Sequence, residues 1–479
     1  MPDIEDEPGW DYRERRTIKA KNFDLEKYYQ EQYGKRSAPK FEAELIEIDE
    51  AQLVVRDEVE GVVLPEADTS DSGVKLTFVH LSDVQLRDEQ VRLYDTATSK
   101  LADYIITSFE HSPLQETFDG AAYYAIIQTV NATVKAYDES DSRRPTFMIH
   151  TGDAMDAGVV NELYEFLYIT NEIKIPWYNV IGNHDTGTFG NIKQRMIYVN
   201  DPFVEFMTIH SKFNFINIHH NTYEYYPFVN VSPTNTVIEP TTFGGPLFSL
   251  YNGFDRLHYT PREINSENFI CRDCPGYYSI QVKEKNVSTK DPAVQMIVLD
   301  TGFSFGARGT VDDEQLEWLR NELVRSSDKI TLVFGHHDIA SIGEGSKLKE
   351  LFADHPSVIA YFCGHTHRHK INYYPGKNGN FGFWEVITDS ILVYPQQGSL
   401  VRIKYENGLG LLDVCAFNHA VQKKYMNDQD NIKDSLLFNH AQLAYEGAAS
   451  DISKSTKRAI DNNKRDRYAR LRFPYPKIR

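Results

Sequence analysis

KLTFVHLSDVQ at residues 75–85 and PTFMIHTGDAMD at 145–156 share one construction: a short apolar run, a turn of small residues, then a carboxylate. Three later segments repeat it with imidazoles and an amide: VIGNHD at 180–185, VFGHHD at 333–338 and FCGHTH at 362–367. The apolar runs Leu76–His80, Thr146–His150, Trp177–Ile181, Gln295–Leu299, Ile330–Phe334 and Val358–Phe362 read as buried strands. Helical patterns alternate with them, which predicts an α/β domain whose regular order starts at Lys75. Between the fourth and fifth runs, Asp312–Val324 places Leu316, Leu319 and Leu323 on one helical face, and Asp312 with Gln315 has the spacing of a capping box.

The polar residues cluster just past the predicted strands: Asp83 and Gln85, then Asp153 and Asp156, then Asn183, His184 and Asp185, then His336, then His365 and His367. Ligands of open α/β sheets bind outside the carboxyl ends of strands, so these side chains are expected to converge on one cleft. Carboxylates, imidazoles and a side-chain amide, with no thiolate among them, suit first-row divalent or trivalent cations. Two such ions held roughly 3.5–4 Å apart can clamp the attacking and leaving oxygens of a displacement at phosphorus. Any one of these strings could be an ordinary turn beside a core histidine; the ordered set of five, each beyond a predicted strand, carries the two-metal expectation.

The set HLSDVQ, HTGDAMD, VIGNHD, VFGHHD and FCGHTH resembles the calcineurin-like metallophosphoesterase superfamily over residues 75 to about 405. GYYSI at 276–280, VLDTG at 298–302 and DEQLEWLRNEL at 313–323 look most like the branch of class III cyclic-nucleotide phosphodiesterases and purple acid phosphatases. The resemblance implies a two-sheet β-sandwich flanked by helices. It further implies one metal held by Asp83, Gln85, Asp153 and His367, and another held by Asp153, Asn183, His336 and His365, with Asp153 bridging. Asn183 and His184 would bind substrate. His184 would protonate the leaving oxygen of a phosphomonoester or phosphodiester attacked by a metal-bridging hydroxide, and Asp156 would orient its ring. His337, His369, Asp185 and Asp338 neighbour the motifs without occupying ligand positions.

Two departures matter. The family has D-x-H where this chain has Asp83-Val84-Gln85, and an amide oxygen in place of imidazole weakens that site and favours Mn²⁺ or Mg²⁺ there. Asp156 stands where purple acid phosphatases carry a tyrosine, which argues against a ferric-tyrosinate centre. Manganese, iron and zinc all remain candidates, with magnesium an option at the Gln85 site. Two alternatives stay open: a 3′,5′-cyclic nucleotide phosphodiesterase, suggested by the QLEWL helix before GHHD, and a catalytically silent scaffold that keeps the fold.

The chain has 479 residues, 41% hydrophobic and 25% charged, enough for one catalytic domain with extensions. The expected layout is an N-terminal extension over 1–74, a catalytic domain over 75–420 and a C-terminal extension over 421–479. The aromatic, proline-containing stretch 189–275 reads as an insertion and candidate substrate lid. A net charge of −18 argues against general nucleic-acid binding, so the expected partner is a small phosphate ester. Ser453 to Arg479 is strongly basic, which suggests packing on an acidic body, a solvated tail, an unknown partner or an anionic membrane surface. Cys271 and Cys274 form a lone C-x-x-C without the second pair a zinc ribbon needs. No apolar run approaches the roughly 20 residues of a transmembrane helix, and the first ten residues lack signal-peptide features, so a soluble, cytoplasmic chain is expected, with export of a processed precursor left open.

Overall fold

The computed structural model describes residues 45–59, 61–62, 73–86, 113–156, 166, 169–170, 172–186, 228–230, 237–243, 248–251, 256–257, 277–283, 293–302, 307–406, 408–419, 441 and 464–474. Cys271, Cys274, most of the 189–275 stretch and the basic residues before Lys464 lie outside the described residues.

The strands in chain order are β1 (Val54–Val55), β2 (Gly73–Leu81), β3 (Phe147–His150), β4 (Trp177–Asn179), β5 (Phe228–Asn230), β6 (Val237–Phe243), β7 (Phe248–Tyr251), β8 (Arg256–Leu257) and β9 (Tyr278–Lys283). They continue as β10 (Val294–Val298), β11 (Ile330–Phe334), β12 (Val358–Cys363), β13 (Lys370–Tyr374), β14 (Phe383–Ile387), β15 (Gln397–Glu406), β16 (Leu409–Asn418) and β17 (Tyr468–Phe473). The four α-helices among the described residues are α1 (Pro113–Ala136), α2 (Asp313–Arg325), α3 (Gly345–Ala353) and the single turn α4 (Lys464–Arg467).

Ten strands form one sheet in the order β1-β17-β16-β15-β2-β3-β4-β5-β7-β8, and seven form the other in the order β13-β14-β12-β11-β10-β9-β6. Each has a parallel centre, β2-β3-β4 in the large sheet and β10-β11-β12-β14 in the small one. All six apolar runs read from the sequence are strands, each with a neighbour on both sides in its sheet. Phe78, Phe147 and Val401 on one sheet meet Phe334, Phe362 and Met296 on the other in a single core. Phe78 stacks on Phe147 at 5.0 Å and meets Phe362 edge-on at 5.5 Å, which keys the two sheets together. The alternate residues Val79, Leu81 and Met148 point the other way, under α1; Ile297, Val333 and Tyr361 lie under α2 and α3. Burial on both faces explains why these strands read as continuous apolar runs.

The α2 cap is half of the expected box. Asp312 Oδ1 accepts the Gln315 N–H at 2.7 Å, but the Gln315 amide turns away from the cap and bonds both the N–H and the carbonyl of Asp300. Thus the glutamine ties the helix to the end of β10.

Both terminal segments join the large sheet. β17 lies between β1 and β16, with Ala469, Leu471 and Phe473 in the core and Arg470 forked onto the buried Asp413 carboxylate at 2.7 and 2.8 Å. Arg56 bonds Glu58, Asp466 and the Ile371 carbonyl. The described part of the basic tail is therefore a core strand packed on an acidic body. Strands β5, β7 and β8 extend one edge of the large sheet and β6 one edge of the small sheet, so the 189–275 stretch contributes to both.

Two outcomes follow from this packing. Leu471→Ala should cost about 2–5 kcal/mol in denaturant melts, and deletion from Ser453 onward should leave no cooperative unfolding transition. Burial pushes His80 down to about 3 and His150 and His419 down to about 4. A base whose folded pKa is depressed contributes stability above its ordinary value of 6.5, and that stability is lost as pH falls toward the folded value. The thermal midpoint should therefore drop between pH 6.5 and 4, and His419→Gln should shallow that drop.

Candidate metal centre

The candidate donors all sit at or just beyond strand ends: Asp83 and Gln85 after β2, Asp153 after β3, Asn183 and His184 after β4, His336 after β11, His365 and His367 after β12. The first three strands belong to the large sheet and the last two to the small one, so the donors gather on the seam between sheets.

Five of these positions have left-handed backbone: Asp83 (φ 53°), Gln85 (φ 47°), Asp153 (φ 55°), His365 (φ 66°) and His367 (φ 51°). An L residue gives up on the order of 1 kcal/mol there, so the surroundings must impose it. They do so through cross-loop bonds. The Asp83 and Gln85 N–H groups donate to the Gly152 and Asp153 carbonyls at 3.0 and 2.9 Å, and the Gly364 N–H donates to the His336 carbonyl at 2.9 Å. Glycine is needed at 182 and 364 for room, because a Cβ there would collide with the Asp153 and Asp83 carboxylates respectively.

Tautomer logic identifies what the cluster is built to hold. His336 Nδ1 lies 2.8 Å from the Thr151 carbonyl, which can only accept, so Nδ1 carries the hydrogen. In the neutral ring Nε2 then presents a lone pair, and it faces Asp153 Oδ2 at 3.1 Å and Asn183 Oδ1 at 3.1 Å. Three electron-rich atoms this close need positive charge among them, either a ring proton or a cation. Burial opposes the proton, but the Asp153 carboxylate beside it lifts His336 to about 9. Reciprocally, burial disfavours charge on Asp153, yet His336 and then His184 hold it well below the usual carboxylate range.

The remaining donors extend the pattern. Asn183 Oδ1 is also 3.1 Å from His365 Nδ1, and Asp83 Oδ2 accepts the His365 N–H at 2.9 Å. Asp83 Oδ1 lies 3.2 Å from His367 Nε2. Gln85 Nε2 reaches Asp153 Oδ2 at 3.3 Å, while Gln85 Oε1 is buried with no hydrogen-bond donor, an oxygen lacking a positive partner. Ligand atoms of Asp83, Asp153 and His336 lie within 4.8 Å of one another, as do those of His336, His337 and His365. This donor set, of oxygen and imidazole nitrogen, fits first-row cations.

His184 stands beside the cluster, its side chain 15% exposed. Its Nδ1 lies 2.9 Å from the Asp156 backbone carbonyl and 3.3 Å from that residue's carboxylate, so the main chain fixes the ring as closely as the side chain does. Burial lowers its basicity, but Asp153, and then the Asp156 hydrogen bond, raise it to about 9.

Among the residues set aside in the sequence, Asp185 has the clearest structural task. Its carboxylate accepts the N–H groups of Asp153, Ala154, Met155 and Gly182, tying two motif loops together. Consecutive turn N–H groups need an acceptor, and an acid directly after GNH was the available signal. Asp338 bonds Ser341, away from the donors. His369 is buried, with its N–H on Asp389 at 2.8 Å. His337 is fully buried and kept neutral by burial and then by His365, whose ring centroid is 4.4 Å away.

Over 87 residues the chain is 31% identical to the glycerophosphodiester phosphodiesterase GpdQ of Enterobacter lignolyticus, a match covering 16% of this chain and 31% of that protein. Over 90 residues it is 30% identical to a probable glycerophosphodiester phosphodiesterase GpdQ of Arcobacter nitrofigilis, covering 16% and 33%. The chain thus spans about a third of the length of these curated relatives. A crystal structure of a dimetal phosphatase from Danio rerio aligns over 72% of this chain and 100% of that one, at 11% identity and a TM-score of 0.37. The model of the calcineurin-like phosphoesterase family matches residues 76–369, an interval that carries all five motifs, and the chain belongs to that family.

Proposed function

We propose that this protein hydrolyses phosphoric esters at a two-cation centre, Asp83, Gln85, Asp153 and His367 holding one ion and Asp153, Asn183, His336 and His365 the other. The observation carrying this reading is His336 Nε2 facing two oxygens, an arrangement that a cation would satisfy. When bound, the cations supply Lewis-acid activation of water and neutralisation of phosphoryl charge. The protein supplies the rest. His184, its Nδ1 hydrogen committed to the Asp156 carbonyl, keeps Nε2 to hand a proton to the leaving oxygen. Asp156 keeps that ring oriented, and Asp185 holds the loops bearing Asp153 and Asn183 at fixed separation.

A diester is the favoured substrate class, because both curated relatives are named for a phosphodiesterase activity. The helix that suggested a cyclic nucleotide is accounted for by packing: Gln315 is committed to Asp300, and Trp318 lies against Tyr277 at 4.6 Å.

Reconstitution with Mn²⁺ should give two ions per chain by elemental analysis and turnover of bis(p-nitrophenyl) phosphate that chelator abolishes; fewer than one ion per chain would support the silent-scaffold alternative. His184→Ala should lower kcat about 10²- to 10⁴-fold at unchanged metal content, whereas His336→Ala should lose metal. Gln85→His should tighten the weaker cation site by about tenfold in a zinc titration, since imidazole is the softer and stronger donor.

A further inference from the structure

His337 is not among the proposed ligands, yet its ring is held on several sides. It is 0% exposed, and a Cβ on Gly309 would sit 2.6 Å from its Cγ. Tyr361 donates to its carbonyl at 2.7 Å. Thr301 Oγ1 accepts the N–H groups of His336 and His337, each at 3.2 Å, which occupies both of its lone pairs. The hydroxyl hydrogen is then left to donate to His337 Nδ1, 2.9 Å away. A neutral ring whose Nδ1 accepts carries its hydrogen on Nε2. That tautomer cannot ligate a cation through Nε2, even though a nitrogen of His337 lies within 4.8 Å of nitrogens on His336 and His365. Nε2 is instead a buried N–H donor with no acceptor among the described residues, a costly arrangement that a bound acceptor would relieve.

We propose that His337 Nε2–H is a fixed hydrogen-bond donor to the oxyanion held at the metal centre, whether the phosphoryl group of the substrate or inorganic phosphate. The assignment rests on the phosphoesterase reading and adds to it a binding residue outside the expected ligand set. Thr301 is the positioning residue, since its hydroxyl sets the tautomer. The arrangement needs no charge on the ring: an N–H bond to an anionic oxygen is strong where water is excluded.

The test is calorimetric titration of the Mn²⁺-reconstituted full-length protein with inorganic phosphate, alongside elemental analysis of the same samples. His337→Ala and His337→Asn should keep the wild-type manganese content while binding phosphate about ten- to a hundredfold more weakly, the range for one hydrogen bond to a charged group. His337→Gln, whose amide nitrogen extends to the Nε2 position, should bind phosphate within about threefold of wild type. If the alanine variant does not fold, the Gln and Asn pair decides the matter. Equal phosphate affinity in those two would overturn the proposal, and so would loss of manganese on replacing His337, which would make it a ligand. Wild type that binds Mn²⁺ but no phosphate would take the phosphoesterase reading down with it; wild type that binds phosphate no better than the variants would remove only the role of His337.

Discussion

Asp153 must keep a negative charge where water cannot reach it, and much of the local architecture can be read as the means of doing so. A buried carboxylate without partners is costly enough to protonate or to unfold its surroundings. Here Oδ1 takes the His184 N–H at 2.9 Å and Oδ2 faces His336 at 3.1 Å and Gln85 at 3.3 Å. The backbone pays by turning left-handed at Asp153 and at four other donors, and the Asp185 carboxylate pins the resulting loop. Left-handed backbone concentrated on one cluster of donors is the signature of a site whose shape matters more than its local stability.

The sandwich is what lets that cluster exist. Neither sheet could assemble it alone, since Asp83, Gln85, Asp153 and Asn183 come from the large sheet and His336, His365 and His367 from the small one. Their separation is set by the aromatic core between the sheets, and bonds across the rim hold the register. His336 Nδ1 reaches the Thr151 carbonyl, the His365 N–H reaches Asp83, and Ser390 Oγ reaches the Asp83 carbonyl. A cavity made at Phe78 or Phe362 would therefore be felt as a shift between donors on opposite sheets, beyond its cost to stability.

Local chemistry decided which parts of this were legible in the sequence. Six strands announced themselves because both faces are buried, and the donors because each follows such a strand. β17 has an equally plain alternation, with Tyr468, Arg470 and Arg472 on one face and Ala469, Leu471 and Phe473 on the other, but the charge of the tail masks it. Its partner Asp413 lies 57 residues away, so no local pattern reveals the pairing. β15 and β16, ten residues each, interrupt their apolar content with Arg402, Lys404 and Asp413, and only the paired sheet explains those charges. Gln315 was read as a capping partner because spacing sees only its own helix, whereas the amide is used on Asp300 across a loop. The orientation of His337 is equally invisible, because it follows from how a threonine hydroxyl divides three hydrogen bonds.

Charge balance connects the donor set to the kind of molecule it can serve. Only Asp83 and Asp153 among the candidate ligands are anionic; Gln85, Asn183, His336, His365 and His367 are neutral when coordinating. Two divalent cations on such a set would leave an excess of about two positive charges, which an anionic phosphoryl group can neutralise. Gln85 sharpens this asymmetry, because an amide oxygen lends less electron density than the imidazole it replaces and leaves more of the positive charge exposed to the incoming oxyanion. The chain around the centre carries a net charge of −18, so the attraction has to be local. A phosphate ester that approaches an acidic protein gains only once its phosphoryl oxygens reach the seam where the candidate donors gather.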